Sequence, residues 1–72
     1  MYFIIMIDEN KYFEGGQTST LNINEAKKYD SFRSVAADFE SGDGFIVLMN
    51  EDGSEKARFD WNEHIRLRDV LK

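Results

Sequence analysis

Ser31-Phe32-Arg33-Ser34-Val35-Ala36-Ala37-Asp38-Phe39-Glu40 is the stretch on which the fold of this chain turns. Phe32, Val35, Ala36 and Phe39 recur at i, i+3, i+4 and i+7, the spacing of one face of an α-helix. Asp30 or Ser31 supplies an oxygen for the free N–H groups of the first turn. Gly42 stands just past the end, where a left-handed residue commonly closes a helix. The spacing predicts an amphipathic helix from Ser31 to about Glu40, with an apolar face that needs a partner layer.

That layer is read from the flanks. Tyr2–Ile7 is an unbroken apolar run rich in Ile and aromatics, short enough for a strand buried on both faces. Asp8-Glu9-Asn10 is a turn, and Lys11–Glu14 a returning strand with Tyr12 and Phe13 on opposite faces. The paired glycines mark residues 15–20 as a loop. In Leu21–Tyr29, Asn22 or Asn24 caps a short helical turn reaching Lys28.

Beyond the helix, Phe45–Met49 is a second buried strand and Glu51-Asp52-Gly53-Ser54 a hairpin turn, since Asp-Gly suits positive φ. Lys56–Trp61 alternates, with Ala57, Phe59 and Trp61 on one face. In the tail from Asn62, His64 to Arg68 has the period of a strand, whereas Asn62 as a cap and the run from Arg68 to Lys72 favour a short helix; the helix is the preferred reading. The expectation is a single α+β domain over residues 1–72. Its small antiparallel sheet has the order strand-strand-helix-strand-strand, with one main helix on one face. Phe32, Val35, Ala36 and Phe39 then pack on Phe3 or Ile4, Ile46, Leu48 and Phe59, and Phe39→Ala costs about 3–5 kcal/mol.

A chain of 72 residues is marginal, and with no Cys it has neither disulfides nor thiolate metal sites to support it. The compensation expected is aromatic: Phe, Tyr and Trp make up 14% of residues. The apolar opening Met1–Ile7 is too short for a membrane span and lacks a basic leader and a cleavage site, so a cytoplasmic protein is expected. The net charge of −5 disfavours nonspecific binding to nucleic acid or to anionic membranes.

Catalytic patterns are missing from the sequence. A triad has only His64 to use, and the serines sit in caps and turns, so His64 is read as a surface or half-buried residue. The glycines lack the Lys-Ser/Thr of a phosphate loop, and Asn50-Glu51-Asp52-Gly53 lacks the first and closing ligands of a calcium loop. A non-enzymatic protein with no cofactor is expected. Lys27, Lys28 and Arg33 form a small basic patch, and Tyr12, Tyr29 and Trp61 are rings on which bases could stack, but the acidic balance argues against direct nucleic-acid binding.

Ser34 to Glu55 holds Asp38, Glu40, Asp43, Glu51, Asp52 and Glu55 without one Lys or Arg. Asp38 and Glu40 fall in the last helical turn, where the helix dipole disfavours a negative charge. A broken local rule without compensation points to function. These six carboxylates are the candidate contacts for a basic partner, imitating a row of phosphates. The competing reading is that they only keep the chain soluble.

In this Cys-free acidic chain the pieces Tyr2-Phe3-Ile4-Ile5, Asn24-Glu25-Ala26-Lys27-Lys28-Tyr29-Asp30-Ser31-Phe32 and Asp52-Gly53 resemble those of small proteins encoded by phages and prophages of low-GC Gram-positive bacteria. The resemblance implies an anti-CRISPR or other anti-defence factor. Such a factor acts in the host cytoplasm on a basic, nucleic-acid-handling surface of a host protein, for instance a nuclease complex. The alternative is a structural or assembly module that self-associates, as a homodimer, through an exposed sheet edge with help from Ile65 and Leu67.

Overall fold

The computed structural model describes residues 1–16, 18–39 and 44–70. Its elements are β1 (Tyr2–Asp8), β2 (Lys11–Gly15), β3 (Thr18–Thr20), a 3-10 turn (Ile23–Glu25), α1 (Phe32–Asp38), β4 (Phe45–Met49), β5 (Glu55–Phe59) and α2 (Trp61–Val70). The strands form one antiparallel sheet in the order β3-β2-β1-β4-β5, and the fold is α+β.

The longest strand, β1, takes the centre, with the wholly apolar β4 beside it. β4 pairs along one edge of β1 from Tyr2↔Met49 to Met6↔Phe45. The other edge of β1 is shared. β2 meets it at Met6↔Tyr12 and Asp8↔Lys11, whereas Phe3 exchanges two backbone hydrogen bonds of 2.8 Å with Tyr29. The Lys27 N–H donates to the Phe13 carbonyl at 2.9 Å. Residues 27–29 thus run as a wedge between β1 and the splayed end of β2. Every backbone group must find a partner, and this wedge satisfies the edge that β2 leaves.

Alternation along the strands gives each face its own apolar cluster. Ile5 and Ile46 pack with Tyr29, Val35, Ala36 and Phe39, joined by the half-buried Phe3, Phe32, Phe59 and Trp61. Ile4, Met6, Ala26, Val47 and Met49 form the second cluster with Tyr2, Tyr12 and Phe45. Among the described residues, α1 and α2 contribute only to the first. The predicted face of α1 is the face observed, and its sheet partners include Phe3, Ile46 and Phe59; Ile4 lies on the opposite side. Phe32 stands edge-on between Phe3 and Phe59, with ring centroids 5.9 and 6.2 Å away. This arrangement carries the attraction of aromatic edges for faces.

Local chemistry sets the element ends. Ser31 caps α1, its hydroxyl oxygen accepting the Ser34 N–H at 3.2 Å. Asn22 caps the 3-10 turn by accepting from Asn24 at 3.0 Å, but the turn stops at Glu25 instead of reaching Lys28, because residues 27–29 are drawn into the sheet. Gly53 adopts φ +91° in the β4–β5 turn, a conformation that favours glycine, whereas Asp52 does not have positive φ.

Three expectations are corrected. Residues 18–20 form β3 rather than loop, paired to β2 through Tyr12↔Thr20 and Phe13↔Ser19. The last strand stops at Phe59, and Trp61 opens α2 while still packing on the core. The cap of α2 is Asp60 and not Asn62. The Asp60 carboxylate accepts the Glu63 N–H at 2.9 Å, and Glu63 reaches back to the Asp60 N–H at 3.4 Å. This reciprocal pair is a capping box. It commits the tail to a helix and overrides the two-residue alternation of its side chains.

Candidate functional site

Four of the six candidate acids are placed: Asp38, Glu51, Asp52 and Glu55. Glu40 and Asp43 lie outside the described residues.

Asp38 is the last residue of α1. Its carboxylate accepts the Tyr29 hydroxyl at 2.7 Å, and the Lys27 ammonium stands 3.5 Å away. The hydrogen bond from Tyr29, and after it Lys27, holds the Asp38 carboxyl below its ordinary range. Burial first, and then the bond and charge of Asp38, push the Tyr29 hydroxyl well above its usual value. Lys27 also lies 5.0 Å over the Tyr29 ring. The unfavourable position of Asp38 at the helix end is therefore compensated by a donor and a cation, and no longer signals function on its own.

The hairpin acids are arranged differently. Asp52 accepts from Ser54 twice, from the hydroxyl at 2.6 Å and the N–H at 2.9 Å, and these bonds hold its carboxyl below the ordinary range. Glu51, its side chain 89% exposed, meets the Met1 amino group at 3.4 Å. Glu55 accepts a two-pronged bond from Arg58 at 2.7 and 3.0 Å, which lowers its carboxyl and neutralises its charge locally.

The expected single ridge is divided. β1 begins beside the hairpin, since Tyr2 pairs with Met49. β5 leads away from the hairpin, and at its far end the chain turns into Trp61, whose ring lies 5.5 Å from that of Phe39. Phe39 directly follows Asp38. The end of α1 thus adjoins the end of the sheet remote from Glu51 and Asp52. Of the acids placed, Glu51 and Asp52 stand together at an exposed tip. Glu55 follows them in β5, held by Arg58, and Asp38 belongs to a separate cluster with Tyr29 and Lys27.

The proposed stacking rings are redistributed too. Tyr29 is buried and Trp61 half-buried in the helix-side core. Tyr12 lies on the helix-free face. There Lys28 sits 5.2 Å over the Tyr2 ring and Arg58 5.1 Å over that of Phe45. These cations cover the rings of their own chain.

His64, read as a surface or half-buried side chain, is fully buried. No local pattern signals this, because its burial depends on α2 folding back against the end of α1. The Tyr29–Asp38 contact was equally hidden: both residues are visible in sequence, but only the wedge brings them together. Among the described residues, no group of three or more His, Asp and Glu side chains could hold a metal ion, and no helix is long and apolar enough to cross a membrane. Comparisons with protein-family models, with curated proteins and with solved structures found no match for this chain.

Proposed function

We propose that this chain is a non-enzymatic binding protein, an inhibitor of the phage type that docks on a basic, nucleic-acid-handling surface of a host protein and acts in the host cytoplasm. One observation supports it above the others. The β4–β5 turn presents Glu51 and Asp52 side by side in solvent, with Asp52 fixed by Ser54 and no Lys or Arg side chain paired with either among the described residues. Asp52 is preorganised by its own turn and offers its negative charge at little cost in ordering, and the exposed Glu51, met by the Met1 amino group, adds a second beside it. Asp38 and Glu55, each bound to a cation of its own chain, offer less.

The test is retention of host proteins on the immobilised chain, compared with the double variant Glu51→Lys/Asp52→Lys. Retention of a basic nucleic-acid-handling protein by the wild type, its release by DNA or RNA, and its loss with the double variant are the expected results. Exposed charges are screened over about 10 Å at 0.1 M salt, so retention should also weaken as salt is added. Equal retention by both forms, or indifference to salt and nucleic acid, overturns the reading.

A second reading is self-association. β5 is an end strand of the sheet, and Ile65 on α2 is 39% exposed. An unpaired strand edge is a template for a second copy, and an exposed apolar side chain can add to such a contact. Light scattering across a concentration series decides it: a strict monomer removes this reading, and a dimer lost on Ile65→Lys supports it.

A further inference from the structure

Among the described residues, His64 is the one polar side chain wholly withdrawn from solvent. Its Nδ1 lies 3.1 Å from the Trp61 carbonyl oxygen. A carbonyl only accepts, so Nδ1 carries the proton and Nε2 is the bare nitrogen. Nothing bonds Nε2. The ring is packed edge-on to Phe39 at 5.0 Å between centroids and tilted against Trp61 at 4.9 Å. Phe39 closes α1 and Trp61 opens α2, so His64 fills the joint between the helices.

Among the described residues, the carboxylates of the packed elements are engaged elsewhere. On α2, Asp60 and Glu63 are turned to each other's backbone N–H groups in the capping box. On α1, Asp38 bonds Tyr29 and Lys27. On β5, Arg58 bonds Glu55. A proton added at Nε2 would create an N–H with no acceptor, and a full charge with no carboxylate partner, among the described residues. The aromatic faces attract a cation weakly, but they replace neither the acceptor nor the water that a charged imidazole needs.

We propose that His64 is an acid-sensitive latch. Neutral, it docks α2 against the end of α1; on taking a proton from solvent at Nε2, it releases α2. Release would bare Trp61 and Phe39 and detach the C-terminal helix from the sheet.

The chain reports on itself, because it holds one Trp and one His. His64 ring-proton shifts, the Trp61 emission wavelength and helicity at 222 nm are followed from about pH 8 to pH 5, above the range in which most carboxylates titrate. Emission wavelength is used because a protonated imidazole can quench a nearby indole without any movement. The expected result is one shared single-proton curve: the imidazole titrates, Trp61 shifts to the red, and the α2 contribution to helicity is lost. In His64→Asn, whose amide can still donate to the Trp61 carbonyl, Trp61 and helicity stay flat. Titration of His64 with Trp61 and helicity unchanged overturns the latch. So does the lack of any His64 titration in this range, or the same transition in His64→Asn. Should the variant fail to fold, the coincidence of the wild-type curves alone decides.

Discussion

Tyr29 donates its hydroxyl to Asp38 across nine positions of sequence, and this bond fastens the wedge between β1 and β2 to the last turn of α1. Lys27, from the same wedge, approaches the same carboxylate. A residue that looked like a surface charge at the wrong end of a helix is the acceptor at the centre of a three-residue cluster.

The two partners give opposite dependences on pH. Folding raises the Tyr29 ionisation, so its contribution is complete below the ordinary tyrosine range and is lost as pH rises through the folded value. Folding lowers that of Asp38, so its contribution is complete above the ordinary aspartate range and is lost as pH falls through the depressed value. In an ultraviolet titration, Tyr29→Phe should remove a component that ionises late. Asp38→Asn should melt below the wild type at neutral pH, with the gap closing once the medium is more acidic than the ordinary aspartate range. A constant gap at all pH values would show that Asp38 acts only through its shape.

Gly44 is fixed by contact rather than by turn geometry. A Cβ added there would run into the Met6 carbonyl oxygen and lie 3.3 Å from the Ile7 Cα. Both belong to the backbone of the central strand and cannot swing aside. Gly44→Ala should therefore destabilise by about 1–3 kcal/mol. For a chain of this size that lowers the melting temperature by roughly 4–8 °C per kcal/mol. A melting curve unchanged from wild type would show that β1 yields at this point.

The sequence made the layers legible but not their connections. Phe32, Val35, Ala36 and Phe39 announce α1 because helical spacing is a local property, and Asp52-Gly53 announces its hairpin for the same reason. β3 escaped notice because Thr18–Thr20 has no apolar alternation to display; its place comes from pairing with β2. Lys27 and Lys28 read as the end of a helical turn because nothing local reveals the unfilled edge of β1. His64 reads as a surface or half-buried residue because its burial depends on α2 folding back against the end of α1, which no local pattern displays. The acids were visible one by one, but their grouping depended on where the end of α1 falls along the sheet, which is a property of topology alone.

The same capping box yields a prediction for α2. Asp60 accepts the Glu63 N–H, and the α2 backbone begins with the His64 N–H donating to the Asp60 carbonyl at 2.9 Å. Asp60→Ala should cost about 0.5–2 kcal/mol. The loss should show at 222 nm and in Trp61 emission before the sheet signal fails. Asp60→Asn, which retains an accepting oxygen, should recover most of it. Equal damage from both substitutions would assign the role of Asp60 to its charge.

Charge reversal separates the two acidic groups. Asp38→Lys places an ammonium against Lys27 and removes the acceptor of Tyr29, so stability should fall and Tyr29 should ionise earlier, with the part due to burial remaining. Glu51→Lys acts on a side chain in open solvent whose one close partner is the Met1 amino group. Its effect should stay within about 0.5 kcal/mol, the range of ordinary surface substitutions. Thermal melts of the two single variants at neutral pH measure the contrast. Equal losses would mean that the hairpin tip contributes to the fold. If Glu51→Lys leaves the melt unchanged, partner binding lost in the hairpin double variant cannot be put down to unfolding caused by Glu51→Lys, and a melt of Asp52→Lys beside it isolates the contribution of the Ser54 bonds. That distinction matters because Asp52, unlike Glu51, is held by its own turn: reversing it removes two hydrogen bonds as well as a charge.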